Sequence, residues 1–417
     1  MKQEYSSLTT FLSDNVFKLD ILDKTRFKFS PDRYEFIKQL FNNLTTAERT
    51  YETSMITTLP LNVSSEFPRS ISYQYCPKPI RSEIENMTKV GMQYSFQINS
   101  RKFKIFFICS DKMENVNKFM NQSIKRIYMW LHLASQYANK DCSKNMNVYL
   151  YLTPLSKLLP EDNTPISQLN ANTAFTTPCK PLTEIVIFRL EEWCKTFIHE
   201  TFHNMGLDFS AYNNDKVNAE IYTMFPVNTD VRLYETYCET WAELCAIMFN
   251  VYYSMRHNTR IEDIPTKIPN MIKTVERNII QEVYHSLFQV VKILSHYGLT
   301  YDVLIERQNN LSNSCTYKED TSVLSYYIIK SILLFNIGSF IKWCADNNSY
   351  SINFTNLTSK DTMAEKMSRY CHLIRTYYKE PTYINALNSM NNFFKTIKHT
   401  KKNKYVLENL RMTITEY

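Results

Sequence analysis

Two histidines, His199 and His203, stand four residues apart with Glu200 directly after the first, in the stretch from Arg189 to Asp208. On an α-helix, positions four apart lie about 40° apart around the axis and one turn along it, so both imidazoles can reach one ion. The glutamate projects toward the same side, where it can take a proton from a metal-bound water. The chemistry this spacing serves is hydrolysis by a zinc-activated water.

The neighbouring residues support a helix with two faces. At about 100° per residue, Leu190, Trp193, Cys194, Phe197, Ile198, Thr201 and Met205 share one arc, while Glu192, Thr196, His199, Glu200 and His203 take the other. The motif therefore lies off the apolar face, where histidines serving only as core filler would not be placed. The chain has only 4 Gly, against an average usage of roughly 7%, yet Gly206 falls three residues after His203. A glycine there is the expected left-handed cap that stops the helix.

Two histidines hold zinc loosely, and a catalytic site takes three protein ligands and an open water position. A histidine six residues after His203 is ruled out, because Phe209 stands there. Asp208 is a second candidate, close to the turn. The third is a ladder of carboxylates, Glu235, Glu239 and Glu243, on one face of the long helical pattern from Asp230 to Met255. Ala242 and Ala246 beside the ladder would let its helix approach the motif helix closely. Glu239, the middle rung, is the preferred ligand. Glu235 and Glu243 are expected to accept the free N–H of a zinc-bound imidazole, or to serve as alternative ligands. Carboxylates at this spacing are otherwise an exposed stripe, mildly repulsive without a partner.

These residues need a frame, and the sequence predicts one. Ser30-Pro31 starts a helix carrying Tyr34, Phe36, Ile37, Leu40 and Phe41. The Pro-containing stretch from Leu59 to Ile80 reads as connection. Met92 to Ile98 and Phe103 to Cys109 form a hairpin around Asn99-Ser100-Arg101. Asp111 to Ala138 is a long amphipathic helix that packs behind it. Val148 to Leu152 and Glu184 to Phe188 are strands, with Thr173 to Thr177 a short edge strand. The predicted fold class is α+β: a small mixed sheet, a backing helix and the motif helix, followed by a mostly helical C-terminal half. Three segments are expected: residues 1–90 as a mainly helical extension, 91–206 as the unit with the motif, and 207–417 as the helical part with the third ligand.

Composition narrows the classes. With 417 residues, 44% of them hydrophobic and 14% aromatic, the chain can bury a large core. A net charge of +7 with both signs interspersed argues against a dedicated nucleic-acid binder. The lysines at 395, 398, 401, 402 and 404 read as a solvated face. The apolar run from Tyr326 to Trp343 is broken by Lys330, Asn336 and Lys342, which favours a buried helix over a membrane span. The N-terminus lacks an apolar signal core, so a cytoplasmic, unsecreted protein with its ten cysteines reduced is expected. A thiol enzyme built on Cys194 or Cys238 finds no known nucleophile setting. Phosphate-binding glycine loops and serine-hydrolase elbows are absent.

His199-Glu200-x-x-His203 followed by a glutamate on a later helix resembles the gluzincin branch of the zincin metallopeptidases. The metzincin branch fits less well: Thr223-Met224-Phe225-Pro226 is similar to its methionine turn, but Phe209 replaces its third histidine. The run from Glu184 through the motif to Ser210, with Tyr237-Cys-Glu-Thr-Trp-Ala, also looks like zincin proteins encoded by large cytoplasmic DNA viruses. The resemblance covers roughly residues 90 to 255. It implies a peptidase using Zn²⁺, with a peptide or protein substrate, Glu200 as base, and Tyr234 or Tyr237 supporting the oxyanion. If the chain is viral, the host cytoplasm or the virion is the expected place. The alternative is a catalytically silent zincin scaffold serving in viral structure or assembly.

Overall fold

The computed structural model describes residues 2–63, 66–162, 164–306, 317–357 and 361–415. A six-stranded mixed sheet lies in the N-terminal half and helices dominate the C-terminal half. The strands are β1 (Thr57–Leu61), β2 (Lys89–Ile98), β3 (Arg101–Ser110), β4 (Asn145–Thr153), β5 (Ala174–Thr176) and β6 (Leu182–Arg189), in the order β1-β2-β3-β4-β6-β5. β3, β4 and β6 run parallel, and the remaining pairs are antiparallel. The β2–β3 hairpin turns at Asn99, whose φ is 52°; asparagine tolerates that left-handed region.

Alternation along the central strands separates two cores. Ile105, Phe107, Val148, Leu150, Ile185 and Ile187 face the backing helix (Val116–Tyr137) and the motif helix (Trp193–Asn204). Phe106, Ile108, Tyr149, Tyr151, Val186 and Phe188 face the other way, against Tyr73, Ile80 and Ile84. Burial on both faces explains why these strands read as continuous apolar runs. The larger cluster runs from Leu8 to Met412, so all three expected segments contribute to one core.

Several expectations need correction. β1 falls partly within the stretch read as connection: Pro60 argued against a strand, but an edge strand tolerates it. The apolar run from Tyr326 to Trp343, expected as one buried helix, falls on a π-helical turn (Leu324–Ile329) and two helices, Lys330–Phe335 and Ile337–Asn348, bent by 89° at Asn336. Among the described residues no single helix is long and apolar enough to cross a membrane. The five lysines of the basic cluster are exposed. Cys142 and Cys179 form a disulfide, contrary to the expectation of ten reduced thiols, because two loops meet below the end of the motif helix. The other described cysteines are free and buried, and Cys315 lies outside the described residues.

Gly206 ends the motif helix as expected. Its φ is +65°, Leu207 N donates to Phe202 O at 2.8 Å, and an added Cβ would meet Cys142 Sγ at 2.9 Å. Gly206→Ala therefore combines left-handed strain with a contact against an immobile disulfide, and should cost about 1–3 kcal/mol. Urea unfolding should read this as a lower midpoint at unchanged slope; an unchanged midpoint would count against the cap.

Candidate metal centre

The motif helix packs on the glutamate helix (Leu233–Arg256), and the two meet turn by turn in opposite directions. Lys195 faces Glu239, His199 faces Glu239 and Glu235, and His203 faces Glu235 and Cys238. Every residue of the motif helix is buried, including the face expected to be polar and open. The ladder is buried too, so Glu235, Glu239 and Glu243 are no exposed stripe.

Glu235 occupies the place expected for Glu239. Its Oε2 lies 3.0 Å from His199 Nε2 and 3.1 Å from His203 Nε2, and the two Nε2 atoms are 3.2 Å apart. Zinc bonds of about 2.0–2.1 Å at tetrahedral angles separate neighbouring donors by roughly 3.3 Å. These three atoms thus outline one triangular face of such a site. Glu239 turns instead to the far side of His199: Oε2 is 2.9 Å from Nδ1, off the line of a well-aligned hydrogen bond, and Oε1 takes the Lys195 ammonium. The sequence could not set this one-turn offset, because it depends on how far the two helices slide past each other. Glu243, the last rung, pairs with Lys330 and touches neither histidine.

Asp208 supports His203 as Glu239 supports His199. Its Oδ2 contacts His203 Nδ1, while Oδ1 accepts from Ser210 N at 2.8 Å and Ser210 Oγ at 2.7 Å. Cys238 adds a thiol 3.4 Å from Asp208 Oδ2, and burial keeps its pKa well above the usual thiol value. Lys195 was missed from the sequence, although a cation one turn before His199 was a readable signal for a carboxylate partner.

The electrostatics carry the case further. Asp208 at His203 Nδ1 and Glu239 beside His199 Nδ1 favour ring protons there, a tautomer in which both Nε2 atoms are acceptors. In that tautomer two imidazole lone pairs and a carboxylate oxygen would face one point; when the rings are protonated, their Nε2–H groups donate to Glu235 instead. Burial opposes charge on His199, but Glu235 and Glu239 outweigh it and lift its pKa to about 9. Burial also opposes charge on His203, whose pKa is nevertheless raised well above normal by Cys238, Glu235 and Asp208. The Glu235 and Glu239 carboxyls are held below the ordinary range despite burial, Glu235 by the two histidines and Glu239 by Lys195 and His199. The cluster attracts positive charge, and a proton or a metal cation would satisfy it.

Glu200 faces a small cavity of about 30 Å³ lined also by His199, Thr173, Ala174, Lys195, Tyr326 and Met412. Burial raises its pKa above the ordinary carboxylate value against the pull of both histidines. Tyr326 stands edge-on to His199, with ring centroids 5.9 Å apart; no sequence pattern marked it. Tyr234 stands edge-on to His203 at 5.8 Å. Tyr237 is not available for the site: its hydroxyl donates to Ile352 O at 2.8 Å and accepts from Asn348 Nδ2 at 2.9 Å, inside the core. A larger cleft of about 970 Å³ borders the first turn of the motif helix but is lined by none of His199, Glu200 and His203.

Burial lifts Glu243 to about 8 despite the attraction of Lys330. An acid raised in the folded state stabilises fully below its unfolded pKa of about 4.5, and that contribution is lost as pH rises toward 8. In metal-free protein, Glu243→Gln should therefore remove part of the stability loss between pH 4.5 and 8, as chemical unfolding across that range would detect. Parallel curves for parent and variant would contradict the assignment.

No family model, curated protein or solved structure matches the chain.

Proposed function

We propose that the protein is a zinc-dependent peptidase of zincin type, with His199, His203 and Glu235 as the metal ligands. The observation that carries this reading is the convergence of two imidazole Nε2 atoms and one carboxylate oxygen, 3.0–3.2 Å apart, on one buried point. Leaving them without a cation would be costly at that depth. A set of two imidazoles and one carboxylate suits a catalytic zinc with an open position better than a closed structural site. Zinc bound there would lower the pKa of a coordinated water to about 7.

The chain's own residues supply the rest. Glu200 takes the proton and returns it to the leaving amine. Tyr326, on the cavity wall, replaces Tyr237 as the group placed to support the carbonyl oxygen, while Tyr234 lies on the His203 side. Asp208 orients the His203 imidazole through Nδ1, Glu239 lies beside Nδ1 of His199, and Lys195 holds Glu239. β5 ends the sheet, and its free edge can align an extended peptide by strand addition.

One observation favours the alternative, a catalytically silent scaffold: a cavity of about 30 Å³ beside Glu200 admits a water but no peptide. Elemental analysis of parent and His203→Ala, paired with a peptidase assay on unfolded protein substrates, separates the readings. Zinc with activity supports the enzyme. Zinc without activity under any condition supports the scaffold, and no zinc overturns the enzyme reading.

A further inference from the structure

The stretch where the helix Pro381–Lys395 gives way to the short helix Lys404–Glu408 carries Lys395, Lys398, His399, Lys401, Lys402 and Lys404, with no Asp or Glu between Glu380 and Glu408. Its five lysines equal five of the chain's seven net positive charges, so the remaining residues are close to neutral. Charge of one sign gathered in one stretch is a mark of contact with nucleic acid or membrane.

The fold holds this stretch by its apolar residues. Phe393 and Phe394 pack against the core, Ile397, Val406 and Leu407 are buried, and the Phe394 ring lies 5.5 Å from that of Phe288. The turn closes on itself: Asn403 N donates to Thr400 O at 3.0 Å, and Asn403 Nδ2 to Lys398 O at 3.0 Å. All five lysines are exposed.

Local electrostatics account for two of them. Lys395 stands in the last turn of its helix, where a cation offsets the carbonyl end, and Lys404 has Glu408 at 4.0 Å. Among the described residues Lys398, Lys401 and Lys402 have no acidic group within that distance. Elsewhere on the surface Lys38, Lys144 and Lys342 each meet an acid three or four residues away at 3.0–3.1 Å. Three ammonium groups so close in sequence and without a partner repel one another, and a negative surface would turn that cost into attraction.

The chemistry of the patch selects the partner. No arginine stands between Arg375 and Arg411, so the planar fork that grips one phosphate with two hydrogen bonds is missing. Phe393, Phe394 and Tyr405 pack against the core rather than offering their faces for base stacking. The lysines line neither the Glu200 cavity nor the larger cleft, and an exposed turn is no groove to track a strand. What remains is a projecting set of point charges, which matches the diffuse negative potential of an anionic bilayer.

We infer that the stretch from Lys395 to Lys404 is a docking surface for anionic phospholipid membrane, held by charge. This surface goes beyond the zinc reading and does not depend on it.

Co-sedimentation of the full chain with vesicles tests it. At low salt, binding to phosphatidylcholine vesicles containing phosphatidylserine should exceed binding to phosphatidylcholine alone by at least about ten-fold. Raising the salt to roughly 0.5 M should reduce it by a similar factor, because the charges are then screened within a few ångströms. Equal binding to both vesicles, or binding that salt does not weaken, would overturn the inference, and neither comparison needs a variant. Lys398→Glu combined with Lys401→Glu and Lys402→Glu alters only exposed residues. Its circular dichroism should match the parent's, and its binding to the phosphatidylserine vesicles should drop at least about ten-fold. A control reversing Lys102, Lys104 and Lys267, exposed elsewhere, changes the net charge equally and should keep the binding. Equal loss in both variants would mean that only total charge matters and would overturn the docking surface. A parent that ignores the phosphatidylserine vesicles yet retards a DNA duplex at the same salt would make nucleic acid the partner and overturn the membrane.

Discussion

Glu235→Ala should abolish tight zinc binding, while Glu239→Ala should only weaken it. Glu235 Oε2 is within 3.1 Å of both Nε2 atoms, whereas Glu239 contacts the opposite nitrogen of a single ring. Loss of a partner that only orients a ligand costs about 10–100-fold in metal affinity, so Glu239→Ala should fall in that range. Glu235→Ala leaves two ligands and should fall beyond it. Competition against a chelating dye measures both constants. A reversed order would restore Glu239 as the ligand and refute the geometry. Because removing Glu239 also leaves Lys195 buried without its partner, folding of each variant is to be checked by circular dichroism.

Glu200→Gln should lower the peptidase rate by at least about 100-fold, the lower end of what a positioned base contributes, with zinc content unchanged. The substitution keeps size and removes only the ability to accept the proton. The small cavity beside Glu200 can take an isosteric amide without repacking. A variant as active as the parent would remove the proposed base, and a variant that loses its zinc would mean that Glu200 belongs to the ligand set.

The motif was legible because its evidence is local. Helical spacing put His199 and His203 together, and one scarce glycine, Gly206, marked where the helix stops. The hairpin, the backing helix and the three site-proximal strands were legible for the same reason, since each carries its own periodicity. What failed required knowledge of how elements meet. Glu235 and Glu239 lie one turn apart on one face of the same helix, so only the crossing of two helices decides which reaches Nε2. Tyr326 arrives from more than a hundred residues away, in a π-helical turn with no pattern of its own.

Charge was the least legible feature. Glu191, Glu192, Lys195, Glu243, Lys330 and Arg411 are all buried and most are paired with one another, which nothing in the sequence indicated. Pairing across long sequence separations, such as Arg411 with Glu191 at 3.1 Å, has no signature in composition or spacing. The buried packing of residues 409–413 was therefore invisible in the sequence.

Anomalous diffraction at the zinc edge from zinc-equilibrated crystals tests the central claim most directly. The account predicts one strong peak within about 2.0–2.2 Å of His199 Nε2, His203 Nε2 and a Glu235 carboxylate oxygen, with both oxygens of Glu239 outside bonding distance. Absence of a peak between the two imidazoles, or a peak coordinated by Glu239 in place of Glu235, would contradict it.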